Sequence, residues 1–189
     1  MLNGRLHEYT NEQLSQFTNR QLQLLDYLGY IFDRSNRDVE RWRELRDKGW
    51  DAMTEDERQE WLFETLPTPS AVKGMYTHND LLRVETTVEN LAVQLRKLGY
   101  VVPKMTKRFD WTYKETITKE ELDRYFSNIE TLRSVRSVFS STPKTPSTQG
   151  RFDYSKANDI ERILYDISTI IEKQEKSWCY MGEIISGEV

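Results

Sequence analysis

Residues 77–99 read THNDLLRVETTVENLAVQLRKLG, and this stretch decides the fold class. Leu81, Val84, Val88, Leu91, Leu95 and Leu98 follow one another at steps of 3, 4, 3, 4 and 3. Such steps place all six on one narrow stripe of an α-helix, whereas a half-buried strand would alternate every second residue. Thr77 stands three residues before Asp80. At that spacing the threonine hydroxyl and the later carboxylate satisfy each other's free backbone N–H groups at a helix start. Gly99 follows the last seam residue, where glycine can take the left-handed conformation that closes a helix. The stretch predicts a helix from Thr77 to Leu98.

Two further seams lie downstream. Thr118 stands three before Glu121 and opens a helix to about Phe139, with Leu122, Tyr125, Ile129 and Leu132 facing inward. Ser155 precedes a third, in which Ile160, Leu164, Ile167, Ile171 and Trp178 repeat the pattern. Each helix should be about 20 residues, or roughly 30 Å long. Their apolar stripes need one another for cover, and the connections look short enough for antiparallel neighbours, so a three-helix bundle over residues 70–180 is the economical arrangement. The stretch Ser140–Gly150, with Pro143, Pro146 and many Ser and Thr, reads as a loop. The linker 99–118, with Pro103, Phe109, Trp111 and Tyr113, should lie across a bundle end. The tail Tyr180–Val189 departs from helical periodicity and is expected to be non-helical, able to add a short strand to a partner.

Upstream the signals are weaker. Residues 1–10 read as a polar arm. A capping box at Thr10–Gln13 predicts a helix over Asn11–Phe32 with Leu14, Phe17, Leu24, Leu25, Leu28 and Ile31 on one stripe. The stretch Asp33–Lys48 carries both charges at helical spacing around Val39, Trp42 and Leu45, and Gly49 ends it. A box at Thr54–Glu57 opens a short helix with Trp61 and Leu62, stopped by Pro67-Thr68-Pro69. The expected fold is all-α: an N-terminal helical arm, a bundle of three long helices and a short non-helical C-terminal tail. Two parts follow, residues 1–66 for docking and oligomerisation and residues 67–189 for the bundle and its tail.

Composition agrees with this. The 189 residues hold only eight glycines and five prolines, little punctuation for a many-turned β protein, and 12% aromatics, which argues against disorder. A mean hydropathy of -0.75 suits an elongated helical assembly with much surface per unit of core. The net charge of -4 opposes general nucleic-acid binding. The single cysteine, Cys179, rules out an internal disulfide and a four-thiolate zinc site, and between Trp178 and Tyr180 it reads as a packed thiol. No stretch has the length of a membrane span and Met1–Thr10 lacks a signal-peptide core, so folding in the cytoplasm is expected.

Catalytic patterns are scarce. The two histidines, His7 and His78, stand apart, and no zinc-helix, nucleophile-elbow, phosphate-loop or dinucleotide motif occurs. Paired acids such as Asp56/Glu57 and Glu120/Glu121 fall in first helical turns, where the helix dipole and capping account for them. No catalytic residue, metal ligand or cofactor site is expected, and the chain is read as a non-enzyme. One basic-aromatic stretch, Arg96 to Lys114 with Lys104, Lys107, Arg108, Tyr100, Phe109, Trp111 and Tyr113, could grip single-stranded nucleic acid or cover a bundle end. The helix starts echo one another: Asn79-Asp80 with Arg83, Asn158-Asp159 with Arg162, and Glu121 with Arg124. They read either as an internal repeat of acid–Arg pairs or, more economically, as capped starts that look alike.

Three stretches carry a family resemblance: Asp47–Thr54 with Trp61-Leu62, Lys73–Glu85, and Tyr154–Leu164, together with the ending Gly182–Val189. Their order resembles a helical module of virion structural proteins in phages and prophages of Gram-positive bacteria, near tail, baseplate or fibre components. It spans residues 34–189, departing at Leu82, where asparagine would be expected, and in the inserted-looking Phe63–Val72. The resemblance implies a tail, baseplate or fibre-attachment component acting by protein–protein contacts, a homo-oligomer among other virion subunits, located in the virion after assembly in the host cytoplasm. Phe17, Leu24, Leu25, Leu28, Ile31, Ile184 and Ile185 are the expected interface residues. No membrane partner is expected. The rival readings are a nucleic-acid-binding phage protein using residues 96–114 and a host-surface recognition module.

Overall fold

The computed structural model describes residues 30–62, 74–112 and 114–186. Its regular elements among the described residues are a 3-10 turn (Trp50–Ala52) and five α-helices, with no strand: α1 (Asn36–Lys48), α2 (Glu55–Leu62), α3 (His78–Lys97), α4 (Lys119–Val135) and α5 (Tyr154–Ser186). The caps that the sequence advertises are in place. Thr77 donates its N–H to Asp80 at 2.9 Å, and Thr118 and Glu121 exchange the two bonds of a capping box. Gly99, at φ +86°, closes α3. Its N–H bonds to Arg96 and that of Tyr100 bonds to Leu95, satisfying carbonyls that the helix end would leave orphaned.

The three seams share one core. Val84, Val88, Leu91 and Leu95 of α3 meet Tyr125, Ile129 and Leu132 of α4 and Ile160, Ile163, Leu164, Ile167 and Ile171 of α5, all buried. Each such side chain contributes about 1.5–3 kcal/mol when fully removed from water. The helices do not alternate in direction, however. Near their starts, Tyr76 meets Tyr125 and Arg83 meets Glu161. Near their ends, the Tyr100 hydroxyl and the Arg136 guanidinium converge on Gln174. All three helices therefore run parallel, which corrects the antiparallel expectation.

Parallel neighbours need connections that travel the full helix length. Residues 98–118 do so along α3 and α4: Thr106 accepts from Asn128 and Arg124, and the Arg108 N–H reaches Glu85. This linker is a side strap, not a lid across a bundle end, and it buries Met105 and Trp111 in the core. Residues 136–153 return along α4 in the same way, Pro143 beside Arg133, Thr145 beside Glu130 and Thr148 beside Asp123.

Two expectations at the chain's ends are corrected. Residues 180–186 continue α5 as helix, so the non-helical tail is absent up to Ser186, and residues 187–189 lie outside the described residues. At the other end, residues 30–35 are not helical, so the helix expected over 11–32 is not present at residues 30–32. Residues 1–29 lie outside the description, with the expected arm and the helix over 11–29. Residues 30–35 pack on the long helices, with Tyr30 and Phe32 each against Tyr165 at 5.6 and 5.2 Å between ring centres.

A smaller cluster joins α1 and α2. Leu45 and Met53 are buried between Trp42 and Trp61. Ser35 caps α1, its N–H bonding to Asp38 at 2.8 Å, and Thr54 and Glu57 exchange cap bonds at the start of α2. Gly74 brings the returning chain against α1 so closely that an added Cβ would stand 2.1 Å from the Asp38 carbonyl oxygen.

Candidate functional site

The parallel arrangement sets the first turns of α3 and α5 side by side. Asp80 caps α3, and Arg83 lies three residues on, so the two share a helix face. Their side chains pair at 3.0 Å. Glu161, in the second turn of α5, faces them and is wholly buried. It accepts both Arg83 terminal nitrogens at 2.5 Å. The non-helical segment 30–35 supplies the fourth charge: Arg34 donates to Glu161 at 2.9 Å and to Asp80 at 3.0 Å. The Ile31 backbone N–H adds a further bond to Glu161 at 2.6 Å. Asn158 completes the dock, accepting from the Arg34 N–H and donating to its carbonyl.

Two guanidinium groups and two carboxylates make the cluster neutral, which is the condition for keeping four charges out of water. Burial acts to lower the pKa of Arg34 and Arg83, but the attraction of Glu161 and Asp80 outweighs it and holds both above the ordinary arginine range. Arg34 also lies over the Tyr76 ring at 5.2 Å. The Tyr76 hydroxyl meets that of Tyr125 at 2.6 Å. Burial pushes both phenols well above the usual tyrosine value. Within this cluster, the atoms buried without a hydrogen bond are the Nε of Arg34 and that of Arg83. With its other donors and acceptors matched internally, the cluster can hold chain segments in register; it offers no free acid or base.

A second buried acid continues the theme. Glu85, 1% exposed, takes both terminal nitrogens of Arg124 and the N–H of Arg108, tying α4 and the first strap to α3. Of the three acid–Arg echoes, only Asp80–Arg83 forms as an i,i+3 pair. Arg124 turns to Glu85, and Arg162 to Asp166 at 3.0 Å.

The expected interface residues are scattered. Phe17, Leu24, Leu25 and Leu28 lie outside the described residues. Ile31 is only 4% exposed, covered by its own chain. Three residues on, Arg34 is locked in the charge cluster. Ile184 and Ile185 stand in the last turn of α5. In the basic-aromatic stretch, Lys107 pairs with Glu89, and Arg108 with Asp110, Glu115 and Glu121. The Arg108 guanidinium lies 4.2 Å from the centre of the buried Trp111 ring. These groups are engaged within the chain, while Tyr113 lies outside the described residues. Among the described residues no group of His, Cys, Asp or Glu is placed to hold a metal ion, and no helix is long and apolar enough to cross a membrane.

Arg34 and Glu161 were not singled out by sequence. Glu161 carried a weak signal, because Ala157 and Leu164 flank it at helical spacing and both are buried. Fold and site together define, over the described residues, a helical protein in which parallel helices are fastened to the non-helical segment 30–35 by a buried, neutral ion cluster. Comparison with protein-family models, with curated proteins and with solved structures finds no match.

Proposed function

We propose that the chain is a phage virion structural subunit, a tail, baseplate or fibre-attachment component that works by protein–protein contacts and assembles as a homo-oligomer. The observation that carries this reading is the overshoot of α5. Its neighbours end at the level of Gln174, where Tyr100 and Arg136 meet it, yet the helix continues to Ser186. Those extra turns add roughly 18 Å at 1.5 Å per residue. Their sequence holds Trp178, Tyr180, Met181, Ile184 and Ile185, a composition suited to a helix that packs against another subunit. The resemblance that the order of Asp47–Thr54, Lys73–Glu85 and Tyr154–Leu164 bears to a virion module points to the same reading. The three long helices form the rigid bundle of that subunit, and the segment before residue 30 is its second point of attachment.

The test compares the full chain with versions lacking residues 1–29 or 178–189. Truncation at residue 29 spares Ile31 and Arg34, which the core needs. Light scattering should show an oligomer that one or both truncations dissociate, and the full chain should enter particles. A monomeric full chain that is absent from particles would end the proposal.

A further inference from the structure

Beside the end of α4 lies an open groove against the C-terminal half of α5, and two cations line it. They are Arg136 and Lys173, and among the described residues neither has a carboxylate partner, in contrast to the arginines of the buried clusters, Arg34, Arg83 and Arg124. Both cations are held in place from behind. The Arg136 guanidinium lies 5.4 Å from the Tyr100 ring centre and bonds to Gln174, and the Lys173 ammonium lies 5.3 Å from that of Phe139. The Nε of Arg136 is buried with no bond of its own. Val138 and Ile170 give the groove an apolar wall.

We propose that this groove binds an acidic segment of a partner protein, seating a carboxylate between Arg136 and Lys173 and an adjacent apolar side chain on Val138 and Ile170. A guanidinium fork and an ammonium point charge together match a carboxylate. The C-terminal end of α4, which Arg136 caps, carries partial negative charge. That partial charge disfavours a phosphate dianion relative to a single carboxylate. The apolar wall gives a peptide side chain cover that a bare ion would not use.

The experiment uses the full chain labelled with nitrogen-15 and the peptide acetyl-Glu-Leu-Glu-Leu-amide at low salt. Amide shifts are expected at residues 136–139 and 170–174, weakening with added salt, and the Gln-Leu-Gln-Leu counterpart should produce none. Affinity should fall by about tenfold or more in R136A/K173A and survive largely intact in R136K/K173R. If the double alanine variant does not fold, K173Q alone, at an exposed position, should still weaken binding. Absent shifts at millimolar peptide, equal binding by the charge-removed variant, or tighter binding of inorganic phosphate or an oligo-dT strand would each overturn the proposal. Assembly into particles is a separate readout, so this result and that of the truncations fail independently.

Discussion

Buried charges of opposite sign are worth little as a set and cost much when one is removed, because the survivor is left unpaired. Arg34, Asp80, Arg83 and Glu161 meet that condition, each at most 5% exposed. Arg34→Met leaves two carboxylates facing one guanidinium and should lower stability by about 3–5 kcal/mol in urea denaturation. Glu161→Met, which also frees the Ile31 N–H, should cost a similar amount. Because each single change strands a charge that the other would remove, the double variant should cost less than the sum, by about 0.5–3 kcal/mol. Strict additivity would show that the four groups do not act as one unit. At this scale the sequence was half legible. Asp80 announced itself through its distance from Thr77, because capping is local. Arg34 and Glu161 sit 127 positions apart, and nothing local says that they meet.

Local chemistry governs the elements too. Glu57 is held at about 2, against an ordinary value of 4.5, by the Lys48 ammonium at 2.6 Å and then by the Thr54 N–H. Its folded value lies below its unfolded one, so its contribution is complete above about pH 4.5 and drains away as the pH falls towards 2. The gap in thermal midpoint between the wild-type chain and Glu57→Gln should therefore close across that window. A gap that stays constant would detach the carboxylate from α2. Gly74→Ala is a steric counterpart. The new methyl would meet the α1 backbone at Asp38 and Val39, and a backbone cannot rotate aside as a side chain can. Overpacking of this kind should cost about 1–3 kcal/mol by thermal melting. An unchanged midpoint would mean that α1 and the chain at Gly74 do not cross in close contact. The capping signals at Thr54, Thr77 and Thr118 were readable for the same reason, since each needs only its own turn. The end of α5 was not. Gly182 breaks the apolar pattern and costs about 1 kcal/mol relative to alanine in a helix, but a helix already wound from Tyr154 can carry one such residue.

For the whole molecule, the seams told that helices pack and were silent on direction. A stripe at steps of three and four looks the same to a parallel and an antiparallel neighbour. Direction was written in the connections instead, and their composition reads only as a loop over 140–150 and a cover across a bundle end over 99–118. The hydroxyls of the second strap lace it down: Thr142 to Asp166 and Thr148 to Asp123, each at 2.6 Å, and Thr145 to Glu130. Lys156 adds two bonds to its backbone, at the carbonyls of Ser147 and Gln149. Such a strap is obligatory. The 17 residues of α4 span about 26 Å at 1.5 Å each, and the chain must cover that distance again before α5 can start beside Lys119. Replacing residues 137–152 by a turn of about four residues leaves a connection of about six, whose fully extended reach is about 20 Å. That is too short for the parallel register and ample for an antiparallel hairpin. An antiparallel α5 would carry Glu161 away from Arg34 and Arg83, leaving their charges without partners. The shortened chain should therefore lose its cooperative melting transition while retaining helical circular dichroism. A shortened chain that melted like the wild type would require α4 and α5 to run in opposite directions, against every contact between their ends.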